Sequence, residues 1–132
     1  MLTKWLFAAP LVVHGLAHIS GFIASWSKSL AGYTESPWIF SSTITLQTPV
    51  GRAFGLLWLI AAIGFVGTGL GLIFGQSWWP TLAIAASVVS LVVIVPWWNT
   101  VPPGAKFGAF FDVVVIIVLF LPLKEKILEL VS

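Results

Sequence analysis

Apolar residues run through this chain in four long stretches, parted by one long polar link and two short turns. The stretches cover about residues 5–26 (WLFAAPLVVHGLAHISGFIASW), 52–75, 79–98 and 105–123. At ~1.5 Å per helical residue, each reaches roughly the ~30 Å thickness of a bilayer's hydrocarbon core. None shows the regular polar alternation of a barrel strand, so helices are the spanning option. The punctuation agrees. Gln76-Ser77 predicts a tight hairpin between the second and third helices, with Pro80 in a first turn where its missing N–H costs little. Asn99-Thr100-Val101-Pro102-Pro103-Gly104 reads as a stop, and Pro122 closes the fourth stretch. LKEKILEL (123–130) then reads as a short amphipathic tail. The expected fold is all-α: an integral membrane four-helix bundle, one transmembrane domain over residues 1–132, with an extramembrane loop cap between helices 1 and 2.

Lys4 ahead of the first apolar run resembles the start of a signal peptide, but His14 and His18 interrupt the run and no A-x-A site follows, so a true span is expected. The tryptophans give a second ruler. Trp5, Trp78 and Trp79 mark the side of the termini, and Trp26, Trp97 and Trp98 mark the other, as an aromatic belt would. Only Trp58 falls well inside a span. The long link, residues 27–51, is rich in Ser and Thr, and IFSSTITLQT (39–48) has the partial alternation of a short strand pair or an interfacial segment. It is expected to be a packed cap, or else a lid or docking surface.

Composition sharpens the picture. Hydrophobic residues make up 59% and charged ones 8%, against about 25% charged in soluble domains. Ten charges cannot cover a soluble globule, and the same numbers exclude disorder. A net charge of +2 gives no case for nucleic-acid binding. The absence of cysteine excludes disulfides, thiolate metal sites and iron–sulfur clusters. Four spans place both termini on one side, but the positive-inside rule ties: Lys4, Lys124 and Lys126 against Lys28, Arg52 and Lys106. The N-terminal amine tips the tie toward cytoplasmic termini.

Within the second span, Gly64, Gly67, Gly71 and Gly75 form a bare stripe for close helix packing, with a ligand or lipid tail against the backbone as the alternative. Three ionisable residues lie inside spans: His14, His18 and Asp112. Each is costly in hydrocarbon and should face the bundle with a partner. His14, His18, Gly21 and Ser25 share one helix face. His18 stands ~12 Å from Trp26, and Asp112 ~10 Å from Ala105 on the same side. Those depths predict a buried His18–Asp112 contact, with His14 deeper and Arg52 and Asn99 nearer the interface. Such a cluster could hold a divalent metal at His14 and His18, although a two-His spacing without a glutamate is a sparse ligand set. It could also hold a haem or chlorin, anchor a quinone headgroup or relay protons. Alternatively it is a polar lock between helices. No hydrolase, kinase or nucleotide motif is present, and GTGLG (67–71) lies inside a span.

LVVHGLAHISGF (11–22) resembles the first helix of the DoxX-like family of small four-span bacterial membrane proteins, and the glycine-rich WLIAAIGFVGTGLGLIFG (58–75) is similar to its second. Family members commonly carry lysine where this chain has His18, and a shorter first loop. The resemblance implies a membrane subunit or accessory protein of the bacterial inner membrane, in some relatives linked to quinone-dependent oxidoreductases. The expected function is therefore an accessory subunit, not an enzyme on its own. Its His/Asp interior would bind a quinone-like or porphyrin-like ligand or conduct protons, beside other membrane subunits or copies of itself. A purely structural subunit and a metalloenzyme of the membrane are the alternatives.

Overall fold

A computed structural model describes residues 2–40, 43–101, 103–121 and 123–131. Ser41-Ser42 in the expected strand pair, Pro102 in the expected stop and Pro122 at the end of the fourth stretch lie outside the described residues. The elements are α1 (Leu2–Trp26), α2 (Pro49–Ile73), α3 (Trp79–Ile94), a 3-10 turn (Val95–Trp97), α4 (Gly104–Phe120) and α5 (Leu123–Val131). Three of these helices are long and apolar enough to cross a membrane, α3 together with its 3-10 extension. The fourth, α4, has 17 residues and meets α5 at 94°.

Local chemistry sets the boundaries. α2 starts three residues before the expected Arg52, because Thr48 caps it through its hydroxyl to Gly51 N and Pro49 takes the first turn. Its far end closes in a Schellman motif: Gln76 N donates to Gly71 O (2.8 Å) and Gly75 N to Leu72 O (3.1 Å). Gly75 has φ +66 there and nothing near its absent Cβ, so it is a helix stop and not a packing position. Pro96 lacks the N–H that would continue α3, and the chain tightens into the 3-10 turn.

α1 packs on α2, α2 on α3 and α3 on α4, while α1 and α4 face each other across a cleft. Gly64, Gly67 and Gly71 lie against Ala86, Leu82 and Trp78 at the α2–α3 seam. At the α1–α2 seam the contact reaches backbone: a Cβ on Gly15 of α1 would stand 2.8 Å from Phe65 Cβ and 2.9 Å from the Ala62 carbonyl of α2. Large apolar side chains such as Leu16, Ile60, Ile63, Val92, Phe107 and Phe110 point outward, an exposed apolar surface of the kind that marks membrane or protein contact.

The tryptophan ruler needs correction. Trp5, Trp26, Trp78 and Trp98 are exposed, but Trp79 and Trp97 are buried core residues. The turn at Pro96 directs Trp97 inward, against Trp58 and Phe54. The long link is a cap without strands among the described residues. It is tied to the bundle end by Gln47 Nε2 to Ala24 O (2.7 Å), Trp38 N to Pro96 O (3.1 Å) and Val101 N to Gly32 O (3.2 Å). Within the segment expected as strands, Leu46 N donates to Glu35 O (3.0 Å) and Thr48 N to Thr45 O (3.1 Å), so these backbone groups are spent in loop and turn contacts.

Candidate binding site

His14 and His18 of α1 turn into the bundle because their helix face also carries Gly21 and Ser25, both buried. His14 Nε2 lies 2.9 Å from Asp112 Oδ1 on α4. His18 Nε2 lies 2.7 Å from Ser90 Oγ on α3. Ser90 Oγ in turn lies 2.5 Å from Asp112 Oδ2. His18 Nδ1 donates back to the His14 carbonyl at 2.9 Å. A network of four side chains thus ties three helices together.

The expected direct contact was between His18 and Asp112. The structure gives His14 that contact and joins His18 to Asp112 through Ser90. The depth count assumed that α1 and α4 end in one plane. Gly108 of α4 sits against the His14 ring, 3.2 Å from Cε1 to its absent Cβ. His14 is ~18 Å below the end of α1, and Gly108 only ~6 Å below the start of α4. α4 therefore begins about two turns deeper than α1 ends. Arg52 and Asn99 do not join the network. Arg52 is exposed and lies over the Trp26 ring, 5.7 Å from its centroid. Exposed Asn99 accepts from Thr34 Oγ1 at 3.4 Å.

The hydrogen bonds narrow the protons to two arrangements. A carbonyl only accepts, so His18 Nδ1 carries a hydrogen. Ser90 has one hydrogen. If it points to Asp112, His18 Nε2 must also be protonated, and the pair is an imidazolium with a carboxylate. If it points to His18, Asp112 must hold the proton and donate it to Ser90 Oγ. Both arrangements contain the same number of protons and differ by a shift along two short hydrogen bonds. Burial favours the arrangement without separated charges. In both, His14 Nε2 donates to Asp112 Oδ1, so in a neutral His14 the other ring nitrogen, Nδ1, is an acceptor with no partner among the described residues.

That acceptor borders a cavity of about 470 Å³ in the α1–α4 cleft, within the ~300–1,000 Å³ range of small-molecule sites. Val13 and Phe107, both exposed, stand at its mouth, and the buried Trp58 and Trp97 line it as well. Tyr33 and Thr100 line it from the cap side. The His14 ring is held between Phe65 and Phe111, each 4.7 Å away between centroids. The Trp97 indole N–H is buried without a partner among the described residues. Ser20 donates to the Ala17 carbonyl (2.6 Å), so the Tyr33 hydroxyl donates to Ser20 Oγ (3.3 Å). Burial raises the Tyr33 pKa above its usual value, partly offset by the Ser20 hydrogen bond.

The metal reading loses its geometry. Both His18 nitrogens are engaged, His14 Nε2 is engaged, and no group of three or more His, Cys, Asp or Glu suited to a metal occurs among the described residues. Sequence reasoning missed Ser90, Tyr33, Trp97 and Gly108. The one readable signal was for Ser90, a hydroxyl midway along an apolar helix. Comparison of the chain with family models, curated proteins and solved structures finds no match in any of the three.

Proposed function

We propose that this is a small integral membrane protein with four crossings, an accessory component of a membrane assembly, whose α1–α4 cleft binds a quinone-like amphiphile through a hydroxyl-bearing head. The single observation that carries the reading is the Nδ1 of His14, without a hydrogen-bond partner among the described residues and set beside a ligand-sized cavity with aromatic walls. A lone-pair acceptor in an apolar cleft selects a head that donates, as a quinol or phenol does and an oxidised quinone does not. Asp112 fixes the ring and its tautomer, as a carboxylate behind a histidine does elsewhere. The resemblance of residues 11–22 to the DoxX-like first helix points the same way, toward a membrane protein near quinone chemistry.

The test is anaerobic titration of the detergent-purified protein with a chainless 1,4-benzoquinol and with its oxidised form, followed by tryptophan fluorescence. The quinol should bind at least about tenfold more tightly, and His14→Phe should abolish the preference. Equal binding of both forms by the parent and by His14→Phe overturns the reading. The alternative, a structural lock, is favoured by the way the network satisfies almost all its own polar atoms while joining three helices. It predicts loss of stability in His14→Phe with no ligand effect at all.

A further inference from the structure

We infer that the ligand of this cleft carries a single long apolar chain, which runs from the head site past Pro10 and Phe111 into a second cavity on the terminal side of the molecule. The inference rests on the proposed function and narrows its ligand class to chain-bearing amphiphiles.

Three observations support it. First, the second cavity, about 240 Å³, shares the walls Pro10 and Phe111 with the first, so the two are successive compartments of one α1–α4 cleft. Second, the compartments differ in chemistry. The first contains His14, His18, Ser20, Tyr33 and Thr100, while the walls of the second are wholly apolar, among them Leu11, Leu72, Trp79, Ala83 and Leu119. A polar head fits one and only hydrocarbon fits the other. Third, those five residues are buried and form the floor of the second compartment beneath an exposed rim of Leu6, Phe7, Pro10 and Val114, so it is a groove that continues the first compartment. A helix with its side chains is ~10–12 Å across and would not enter it. Ile127 of α5 also lines this compartment. Pro10 suits the junction, since it removes a hydrogen bond from α1 and the ring leaves no N–H facing the chain.

The experiment uses the full protein in detergent and two probes: the chainless 1,4-benzoquinol, and the same quinol with an n-decyl chain ending in a photoreactive diazirine. Irradiation and peptide mass spectrometry should place the chain end on residues 6–11, 79–83 or 114–119. Val115→Phe and Val118→Phe, partly exposed positions that fill the groove from α4, should cut that labelling at least about fivefold and leave chainless quinol binding within about twofold. Two variants guard against a local folding fault in either. Chainless binding with the label only on detergent, on the outer faces or on other segments overturns the chain inference and leaves the head site standing. Failure of both probes to bind, in a folded protein, overturns the head site and this inference with it.

Discussion

Ser90 holds the polar interior together, because its one hydroxyl bridges His18 and Asp112. Ser90→Ala removes both contacts and leaves two buried groups unpaired, an expected loss of about 1–3 kcal/mol in detergent unfolding. Asp112 offers a sharper test of the proton arrangement. An asparagine can accept from His14 Nε2 through its oxygen and donate to Ser90 Oγ through its nitrogen, as a protonated Asp112 would. Asp112→Asn should therefore stay within about 1 kcal/mol of the parent, while Asp112→Leu should cost about 1–3 kcal/mol. A loss for Asn as large as that for Leu would establish the ion-pair arrangement. Tyr33 gives a pH readout, as the chain's one tyrosine. Its pKa in the fold lies above that of the unfolded chain, through burial. The stability it contributes is thus present below pH ~10 and lost as pH rises through the folded value. Tyrosinate absorbance should rise only above the ordinary range in the parent and near pH ~10 after denaturation. At this scale His14, His18 and Asp112 were legible because ionisable groups stand out in apolar spans. Their pairing was not, because nothing in the residues shows that α4 starts deeper than α1 ends.

Helix by helix, the seams are set by small residues, and the seams differ in tolerance. At Gly15 an added side chain meets the Ala62 carbonyl and Phe65 Cβ, atoms of α2 that cannot swing aside. At Gly67 it meets only the end of Leu82, 3.3 Å away, which can. Gly15→Ala should cost about 1–3 kcal/mol and Gly67→Ala should be near neutral, read as thermal unfolding in one detergent. Gly71→Leu should lie with Gly15, because the Trp78 ring is 2.7 Å from the added Cβ. The α2–α3 stripe was readable from its spacing by fours at Gly67 and Gly71. The α1–α2 seam was less so, since Gly15 and Gly21 are separated by six and each needs its partner, Phe65 or Trp58, to be recognised as a contact. Gly75 continued the stripe in sequence but falls one residue past the cap, where helix geometry no longer applies.

For the whole molecule, the route of α4 sets the topology. Its 17 residues span ~25 Å, short of a ~30 Å hydrocarbon core, and the chain then bends by 94° into α5. α5 is amphipathic, with Lys124, Glu125, Lys126 and Glu129 among Leu123, Ile127, Leu128 and Leu130. That pattern suits a helix lying along the interface, with local bilayer thinning making up the mismatch of α4. Four apolar stretches were plain in the sequence, but the fourth was counted to Leu123, whereas α4 ends at Phe120 and Leu123 already belongs to α5. A crossing α4 puts Lys126 on the membrane face opposite the cap, and a re-entrant α4 returns it to the cap's face. The chain contains no cysteine, so single cysteines report without background. Ser36→Cys in the cap and Lys126→Cys in α5 should label from opposite faces of sealed vesicles with an impermeant maleimide, and Thr3→Cys should label with Lys126→Cys. Labelling of Ser36→Cys and Lys126→Cys from one face, with Thr3→Cys on the other, would leave three crossings. The α1–α4 cleft would then open beside a helix that dips into the bilayer without passing through.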